Sequence, residues 1–490
     1  MKYILAIDAG TTSSRAILFD SKGQQQHMAQ HEFPQYFPNP GWVEHNANEI
    51  WNTQRKAIED VLNSPEVSIE NIEAIGITNQ RETTILWDRK TGEPIHNAIV
   101  WQDRRTAPIC DALRDHAEKI SKKTGLVLDA YFSGTKIKWI LDQDPNLLER
   151  AKAGEIAFGT VDSWLIWKLT NGTVHVTDVS NASRTLLYNI HRLEWDQELL
   201  DLLDIPSAIL PKVVSSSEVV GNIAENLFGK EIPIAGIAGD QQAALFGQLC
   251  VAPGEVKNTY GTGCFCIMNT GENPVDSQNQ MLTTIGWQIN GKTTYALEGS
   301  VFIAGALIQW LRDQLKLIDS SPAIESLAKT VDDNGGVTFI PALSGLGAPY
   351  WDPEATGAIM GITRGTQKGH IARAALEAIA MRSSEIISAM QKDAKVSFSS
   401  LKVDGGASNN NLLMQLQADV LKKTVIRPKT TETTALGAAF FAGLAVGLWT
   451  NIDALKSIWI KDQSFAPGNS AQTDSIVKQW ENQIQKVVKK

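Results

Sequence analysis

The chain has 490 residues, of which 43% are hydrophobic and 20% charged, and its formal net charge is −9 at pH 7. A globular chain of this length buries large cores and usually divides into at least two domains. The acidic balance argues against a binder of nucleic acid or of anionic membranes, because such proteins usually present a basic surface.

The first predicted element is a β-hairpin over residues 4–20, in which two apolar runs flank a polar turn at Gly10. Backbone N–H groups and hydroxyls in such a turn can bind phosphate oxygens, and a carboxylate beside it can hold Mg²⁺ through water. The residues that offer these groups are Asp8, Thr11, Thr12, Ser13 and Arg15. The pattern predicts a phosphoryl-transfer site, although an ordinary surface hairpin would contain the same residue types.

Strands and helices alternate after the hairpin. The runs at 26–33, 72–78, 83–87 and 98–101 are typical of strands, and the helical pattern at 48–62 lies between them. The alternation predicts an α/β fold.

Polar and aromatic residues at predicted strand ends offer a site for a phosphoryl acceptor. Arg81 can donate and Glu82 can accept hydrogen bonds from a polyhydroxylated molecule, whereas a structural salt bridge is the alternative. Trp101 ends the next strand and could cover the carbon face of a small polyol, or it could be a buried core residue.

Asp240 follows the apolar strand and glycine turn of residues 234–239 and begins a predicted helix of small residues. It could accept the proton of a substrate hydroxyl, a role that typically contributes ~10²- to 10⁴-fold in rate. Near the reference pKa of about 3.9, its carboxylate would be ionised at neutral pH. The alternative is a helix N-cap, which is worth ~1 kcal/mol of stability.

The second half of the chain begins near residues 247–253 and repeats the opening pattern. Residues 256–268 form a strand, a Gly/Thr turn and another strand, which would place two phosphate-binding hairpins across one cleft. Helical patterns follow at 300–317, 369–390 and 410–421, and a short strand at 401–403 ends in a Gly-rich turn.

Residues 286–293 match the GxxxxGK[ST] pattern of a P-loop letter for letter. A P-loop needs a strand before it and a helix after it. Here the residues after the match have strand character, and Asn290-Gly291 is a favoured two-residue hairpin turn. The match is therefore interpreted as a β-hairpin.

The longest apolar run, residues 435–449, is too short for an ordinary membrane span and contains three glycines, which favours a close-packed buried helix. The four cysteines lack CxxC spacing, so neither a disulfide framework nor a zinc site is expected. With no secretory leader at the N-terminus, we expect a cytoplasmic protein.

Six motifs in this order resemble the FGGY family of carbohydrate kinases, and among its members those that phosphorylate glycerol. They lie at residues 8–15, 79–83, 101–106, 239–242, 260–265 and 404–407, and the resemblance runs from about residue 3 to residue 449. It implies two actin-like (ribonuclease H-like) α/β domains, residues 1–247 and 248–490, with the nucleotide and substrate in the cleft between them.

The resemblance also implies an enzyme that transfers the γ-phosphoryl group of ATP, with Mg²⁺, to glycerol and so yields sn-glycerol 3-phosphate. Asp240 would be the catalytic base and Asp8 would organise the metal ion. The glycerol site would comprise Arg81, Glu82, Trp101, Tyr131, Asp240, Gln241 and Phe265. The ATP site would comprise Thr11, Thr12, Ser13, Arg15, Thr262, Gly305, Gln309, Gly406 and Asn410.

Some relatives carry a Gly-Gly-Thr-Arg loop for fructose 1,6-bisphosphate, or a phosphorylated histidine, where this chain has residues 220–233. Neither is present, so neither control is expected. A kinase for another polyol or a ketose, or an actin-like or chaperone-like ATPase, remain as alternatives. We expect glycerol as the small-molecule partner and a homodimer or homotetramer.

Overall fold

The computed structural model describes residues 2–352, 354–468 and 471–488. Within these residues, thirteen strands form one continuous mixed sheet, and helices cover its faces. The predicted α/β class is therefore confirmed.

The N-terminal half of the sheet has five strands that end beside the candidate site. Tyr3–Ala9 and Ser13–Asp20, the first two in the chain, pair antiparallel, as the predicted hairpin requires. The last two in the chain, Ile72–Asn79 and Pro233–Gly239, run parallel to Tyr3–Ala9. In spatial order the five strands are Gln25–Glu32, Ser13–Asp20, Tyr3–Ala9, Ile72–Asn79 and Pro233–Gly239, and Ser217–Asn222 pairs with the last.

The C-terminal half repeats this order and these directions, so the predicted internal repeat is confirmed. Its five strands are Lys292–Val301, Cys264–Gly271, Val256–Tyr260, Ser400–Asp404 and Thr424–Pro428, flanked by Leu282–Ile289 and Lys461–Phe465. The halves meet where Ser217 pairs with Ile289.

Short strand pairs lie outside the large sheet. They are Glu44–His45 with Ala98–Ile99, Ile85–Asp88 with Ile156–Gly159, Val176–Asp178 with Lys212–Val214, Tyr188–Asn189 with Glu194–Trp195, and Thr338–Ile340 with Ala358–Met360. The rejected P-loop match lies in the antiparallel pair Leu282–Ile289 and Lys292–Val301, so its interpretation as a hairpin is confirmed.

The helix predicted at residues 48–62 from its apolar periodicity is confirmed. Ala47–Leu62 begins at Asn46, whose side chain accepts the N–H of Asn48, and buries Ile50 and Ile58. The helices of this half are Ala47–Leu62, Ala107–Ala112, Ala117–Thr124, Ser133–Leu141, Pro145–Lys152, Val161–Leu169, Val179–Ala182, Gln197–Leu202, Glu225–Phe228 and Asp240–Gly247, with 3₁₀ turns at Ile69–Asn71, Arg114–His116 and Ser207–Ile209.

The helices of the C-terminal half are Gly305–Asp313, Ala323–Ala328, Lys368–Ala394, Asn411–Leu421, Thr433–Ala445, Ile452–Ile458 and Ala471–Ile484, with a 3₁₀ turn at Gly406–Asn409. The prediction of one helix over residues 300–317 is wrong at its start. Ser300 and Val301 instead continue the strand Lys292–Val301, because they pair with Phe265 and Cys264 of a strand that is distant in the sequence.

The apolar run at 435–449 forms the buried helix Thr433–Ala445, as predicted, and this helix packs against the N-terminal half of the sheet. A Cβ on Gly437 would lie 1.8 Å from the carbonyl oxygen of Ala243, so the backbones approach as closely as glycine allows. No helix among the described residues is long and apolar enough to cross a membrane.

Gly437→Ala is expected to lower the free energy of unfolding by about 1–3 kcal/mol, because the added methyl group must separate two packed helices. Urea denaturation followed by tryptophan fluorescence measures the change. Gly365→Ala is the matched control, since a Cβ there would lie 3.8 Å from Thr363 Oγ1. An unchanged midpoint for Gly437→Ala would contradict the close contact.

Candidate active site

Three parallel strands of the N-terminal half end in register at one edge of the sheet. Ala9 pairs with Asn79, and Asn79 pairs with Gly239. Parallel strands present their carboxyl ends on the same side, so the residues at these ends converge. Asp8 and Asp240, which are far apart in the chain, therefore lie at the same edge.

The predicted phosphate-binding turn is a tight connection between the first two strands, closed by a hydrogen bond of 2.9 Å from the N–H of Gly10 to the carbonyl of Ser13. Thr12 is exposed and Thr11 half-buried at this turn. Ser13 is buried, and its hydroxyl accepts a hydrogen bond of 3.0 Å from Gln30. Thr11 and Thr12 are therefore the more open of the three hydroxyls.

Arg15 links the two halves of the chain by ion pairs. Its guanidinium contacts Asp8 through Nη2, and Nη1 lies 2.6 Å from Glu432 Oε2, just before the helix Thr433–Ala445. The charge of Asp8 raises the pKa of Arg15 above its ordinary value. Glu432 was not found by sequence reasoning, because its partner lies in the other half.

The contact between Arg81 and Asp240 depends on the glycine at position 239. Arg81 Nε lies 3.2 Å from Asp240 Oδ1. A Cβ on Gly239 would be 2.6 Å from Arg81 Cδ, so any larger residue would displace the arginine. The absence of a side chain at Gly239 thus lets the guanidinium approach the carboxylate.

Asp240 is the first residue of the helix Asp240–Gly247, and its Oδ1 accepts a hydrogen bond of 2.7 Å from the N–H of Gln241. Gly239 occupies the N-cap position, and the Asp240 side chain still accepts one N–H at the start of the helix, so a capping role and a role toward a substrate both remain open to it. The Asp240 side chain is 31% exposed, which leaves it open to a substrate.

Partial burial of the carboxyl group, whose side chain is 31% exposed, desolvates it and raises the pKa of Asp240 to about 6, although the charge of Arg81 opposes this shift. This value lies above the ordinary aspartate pKa that the sequence led us to expect. The carboxylate is a stronger base than a solvated aspartate and is still mainly ionised at neutral pH.

Glu82 is held in a left-handed backbone conformation, with φ of 62°. Its carbonyl accepts hydrogen bonds from Ser133 Oγ at 3.0 Å and Lys136 Nζ at 3.3 Å. Its carboxylate accepts one of 2.7 Å from Arg184 Nε. These contacts fix the main chain and side chain of Glu82 before any substrate is bound.

Glu298 is a buried carboxylate at this site that sequence reasoning missed. Its oxygens accept hydrogen bonds of 2.5 and 2.9 Å from Arg81 and of 3.0 Å from Arg184. Burial opposes ionisation, but the two arginines outweigh it and lower the pKa of Glu298 to about 2. The signal in the sequence is a lone acidic residue within an apolar strand, residues 295–301.

Aromatic side chains from both halves lie beside these charges. The Trp101 ring is 5.7 Å from the Tyr131 ring and 6.4 Å from the Phe265 ring. Trp101 Nε1 donates a hydrogen bond of 3.0 Å to Thr11 Oγ1, which joins the predicted acceptor site to the phosphate turn. The Trp101 ring is half-buried, as a core residue would be, but it also lies beside the other aromatic candidates, as a residue that covers a small polyol would.

Gln241 is held by a lysine from the other half. Its Oε1 accepts a hydrogen bond of 2.5 Å from Lys257 Nζ, which also donates to Thr259 Oγ1 at 2.8 Å. Lys257 is fully buried, and this burial lowers its pKa from the ordinary value. Sequence reasoning did not find Lys257, although a lysine inside a buried strand is unusual.

The nucleotide candidates of the C-terminal half lie at the ends of its own strands, where Thr259 pairs with Asp404. Thr262 is exposed in the hairpin turn, and Gly305 donates its N–H to the carbonyl of Gly261 at 3.0 Å. The other candidates are the exposed Gln309 and Gly406, and Asn410, whose Oδ1 caps the helix Asn411–Leu421 by accepting the N–H of Leu413.

Solved structures resemble this fold over its full length. The glycerol kinase of Plasmodium falciparum with ADP has a TM-score of 0.93 and 36% identity, covering 100% of this chain and 99% of that one. A xylulose kinase from Lactobacillus acidophilus has a TM-score of 0.89 at 24% identity, which shows the fold alone. These neighbours identify the fold as the actin-like one expected from the motifs.

Sequence relatives cover nearly the whole chain. The glycerol kinase of Deinococcus radiodurans is 59% identical over 99% of this chain and 97% of its own length. A protein of Thermotoga maritima named glycerol kinase 2 is 57% identical over 99% of this chain and 98% of its own length.

Two family models match consecutive parts of the chain. The N-terminal domain of the FGGY family of carbohydrate kinases matches residues 3–247, and the C-terminal domain matches residues 256–446. The resemblance carried by the six motifs is thereby confirmed. This chain belongs to the FGGY family of carbohydrate kinases.

Proposed function

We propose that this protein is an ATP-dependent kinase that phosphorylates glycerol to sn-glycerol 3-phosphate. The observation that carries the proposal is the meeting of Arg81 and Asp240 at the strand edge that also bears Asp8 and the phosphate turn. Relatives 57–59% identical over nearly the full length carry the name glycerol kinase, which supports this substrate.

In the proposed reaction, the glycerol hydroxyl oxygen attacks the γ-phosphorus of ATP, and the bond between this phosphorus and the β-phosphate oxygen breaks. Asp240 accepts the hydroxyl proton on its carboxylate, and ADP leaves. The pKa of about 6 suits this role, because a base must be ionised at the working pH yet bind a proton well.

Glycerol recognition is assigned to the charged and aromatic groups around Asp240. Leaving a buried donor of glycerol unpaired would cost ~1–3 kcal/mol, so three hydroxyls need several fixed partners. Arg81, Glu82, Asp240 and Gln241 would supply them. The aromatic walls, namely Trp101, Tyr131 and Phe265, would limit the length of the acceptor.

ATP is assigned to the two hairpin turns, one in each half of the chain, which would lie on either side of the nucleotide. Thr11, Thr12, Ser13 and Arg15 would contact the phosphates, and Arg15 would exchange carboxylate partners for phosphate oxygens. The C-terminal half would hold the nucleotide through Thr262, Gly305, Gln309, Gly406 and Asn410. We propose that residues 1–247 and 248–490 are two domains that close and exclude water, the rival acceptor.

The donor set at Asp8 fits a magnesium ion that arrives with ATP. Among the described residues, no group of three or more His, Cys, Asp or Glu side chains could form a protein-only metal site. Magnesium is commonly held by one or two carboxylates together with phosphates and water, so Asp8 would hold it with the ATP phosphates once its present partner, Arg15, turns to those phosphates. The ion would neutralise phosphate charge when bound.

The substrate assignment is tested by ATP consumption with glycerol, xylulose, gluconate or no acceptor. Glycerol is expected to give the highest kcat/KM. A higher kcat/KM for xylulose or gluconate would mean that the substrate is another carbohydrate of the same family. A rate of ATP consumption that is the same with and without every acceptor would favour an actin-like ATPase. We further propose a cytoplasmic homodimer or homotetramer, which light scattering of the purified protein tests.

Asp240→Asn is expected to reduce kcat by about 10²- to 10⁴-fold while ATP still binds, because the amide cannot accept the proton. Steady-state kinetics and calorimetric titration of ATP measure the two effects. Asp162→Asn is the control, since Asp162 is a fully buried carboxylate that accepts hydrogen bonds from Thr160 and Thr177 and is not one of the candidate site residues. Retained turnover in Asp240→Asn would remove Asp240 from the base role.

The kcat/KM for glycerol is expected to fall as the pH drops through about 6, because protonated Asp240 cannot act as a base. A pH–rate profile from pH 5 to 8, roughly the range in which such a group titrates, measures this. Burial also raises the pKa of Asp162 to about 6. The Asp162→Asn variant should therefore show the same fall in kcat/KM at low pH as the wild type. Loss of this fall in the variant would mean that it arises from titration of Asp162 and not of Asp240.

A further inference from the structure

Four buried side chains form a closed ring of alternating charge, here called the charge ring: Arg81, Glu298, Arg184 and Glu82. Arg81 lies 2.5 Å from Glu298, and Glu298 lies 3.0 Å from Arg184. Arg184 lies 2.7 Å from Glu82, and Glu82 lies 3.7 Å from Arg81. Each cation therefore has an anion on both sides.

The charge ring is shielded from water, since the exposure of its four residues ranges from 0% to 3%. In such surroundings an uncompensated charge is strongly unfavourable, so each member depends on its partners. The positions of these side chains are thus coupled, and moving one displaces the others.

Glu298 is the member of the charge ring that comes from the C-terminal half, on the strand Lys292–Val301. It lies between Arg81 and Arg184, both from the N-terminal half. Without its negative charge, two buried guanidinium groups would face each other and repel.

The contact with Glu298 also sets the orientation of the Arg81 guanidinium. Both Nη atoms of Arg81 donate to the two oxygens of Glu298, a bidentate geometry that fixes the guanidinium plane. With this edge occupied, the Nε edge of the guanidinium lies beside Asp240, with Nε 3.2 Å from Asp240 Oδ1. Glu298, a residue of the C-terminal half, thereby fixes the position of the Arg81 guanidinium.

We propose that Glu298 is a positioning residue that holds Arg81 in the geometry that binds glycerol. The inference deepens the proposed function and rests on it. Glu298 itself need not touch the substrate, because it acts through Arg81. The acceptor site in the N-terminal half is then complete when the strand Lys292–Val301 lies against it.

The test is the steady-state kinetics of Glu298→Gln, which keeps the size of the side chain but removes its charge. We expect the KM for glycerol to rise about tenfold or more, and the KM for ATP to change by less than about twofold. Because Arg81 becomes misplaced, the glycerol-dependent rise in Tm should also be lost.

Tyr295→Phe is the matched control on the same strand. Tyr295 donates a hydrogen bond of 2.7 Å to the carbonyl of Ile190 in the other half, outside the charge ring. The control thus weakens the same interface without touching Arg81, and its KM for glycerol should equal that of the wild type. An equal rise in both variants would mean that Glu298 has a general structural role, and would overturn the proposal.

A double variant, Glu298→Gln with Arg184→Gln, covers the case in which the single variant fails to fold. It removes one charge of each sign and so leaves Arg81 balanced by Glu82. Because Arg184 also holds Glu82, the single variant Arg184→Gln is measured beside it. The KM of the double variant for glycerol should exceed that of Arg184→Gln, because only the double variant lacks the bidentate partner of Arg81. A wild-type KM in either variant of Glu298, or misfolding of both while Tyr295→Phe folds, would overturn the proposal.

The wild-type measurement separates this inference from the proposed function. If the wild type lacks glycerol-dependent turnover and any glycerol-dependent rise in Tm, the substrate assignment fails, and the inference that rests on it fails with it. If the wild type uses glycerol and Glu298→Gln retains its KM, the role of Glu298 alone is wrong.

Discussion

The register of three parallel strands is the constraint on which the candidate active site depends. Ala9, Asn79 and Gly239 lie side by side, and Asp8, Arg81 and Asp240 reach one edge because of it. A slip of one residue would turn every side chain of a strand to the opposite face of the sheet. The buried apolar residues of these strands, such as Ile7, Ile77 and Ile237, therefore fix the chemistry as well as the fold.

Opposite charges then couple the two halves of the sheet. Arg15 bridges Asp8 and Glu432, and Arg81 pairs with Asp240 and Glu298, so each arginine holds one carboxylate from each half. Buried ion pairs contribute little net stability, since desolvation offsets the attraction, but they specify geometry because an unpaired member is costly. The relative position of the two halves at the candidate site is thus specified by charge pairing between them, while apolar packing supplies the stability.

Local turn chemistry made much of the fold predictable. The Gly10 turn and Asn290-Gly291 indicated hairpins that the structure contains, and small residues indicated the close-packed helix Thr433–Ala445. The helix predicted from residue 300 was wrong at its start, because pairing of Ser300 and Val301 with a strand distant in sequence overrides the local pattern. Local sequence patterns therefore predicted an element correctly wherever pairing with a strand distant in the sequence did not override them.

The site was less predictable, because its electrostatics arise between residues that are distant in the chain. Glu298 and Lys257 look like isolated charges within strands, and their partners Arg81 and Gln241 are apparent only after folding. The proton affinity of Asp240 has the same origin: burial raises its pKa to about 6, while Arg81 limits the rise. Sequence motifs can therefore name a candidate base, but its proton affinity is set by the balance between desolvation and a neighbouring cation that the fold brings into place.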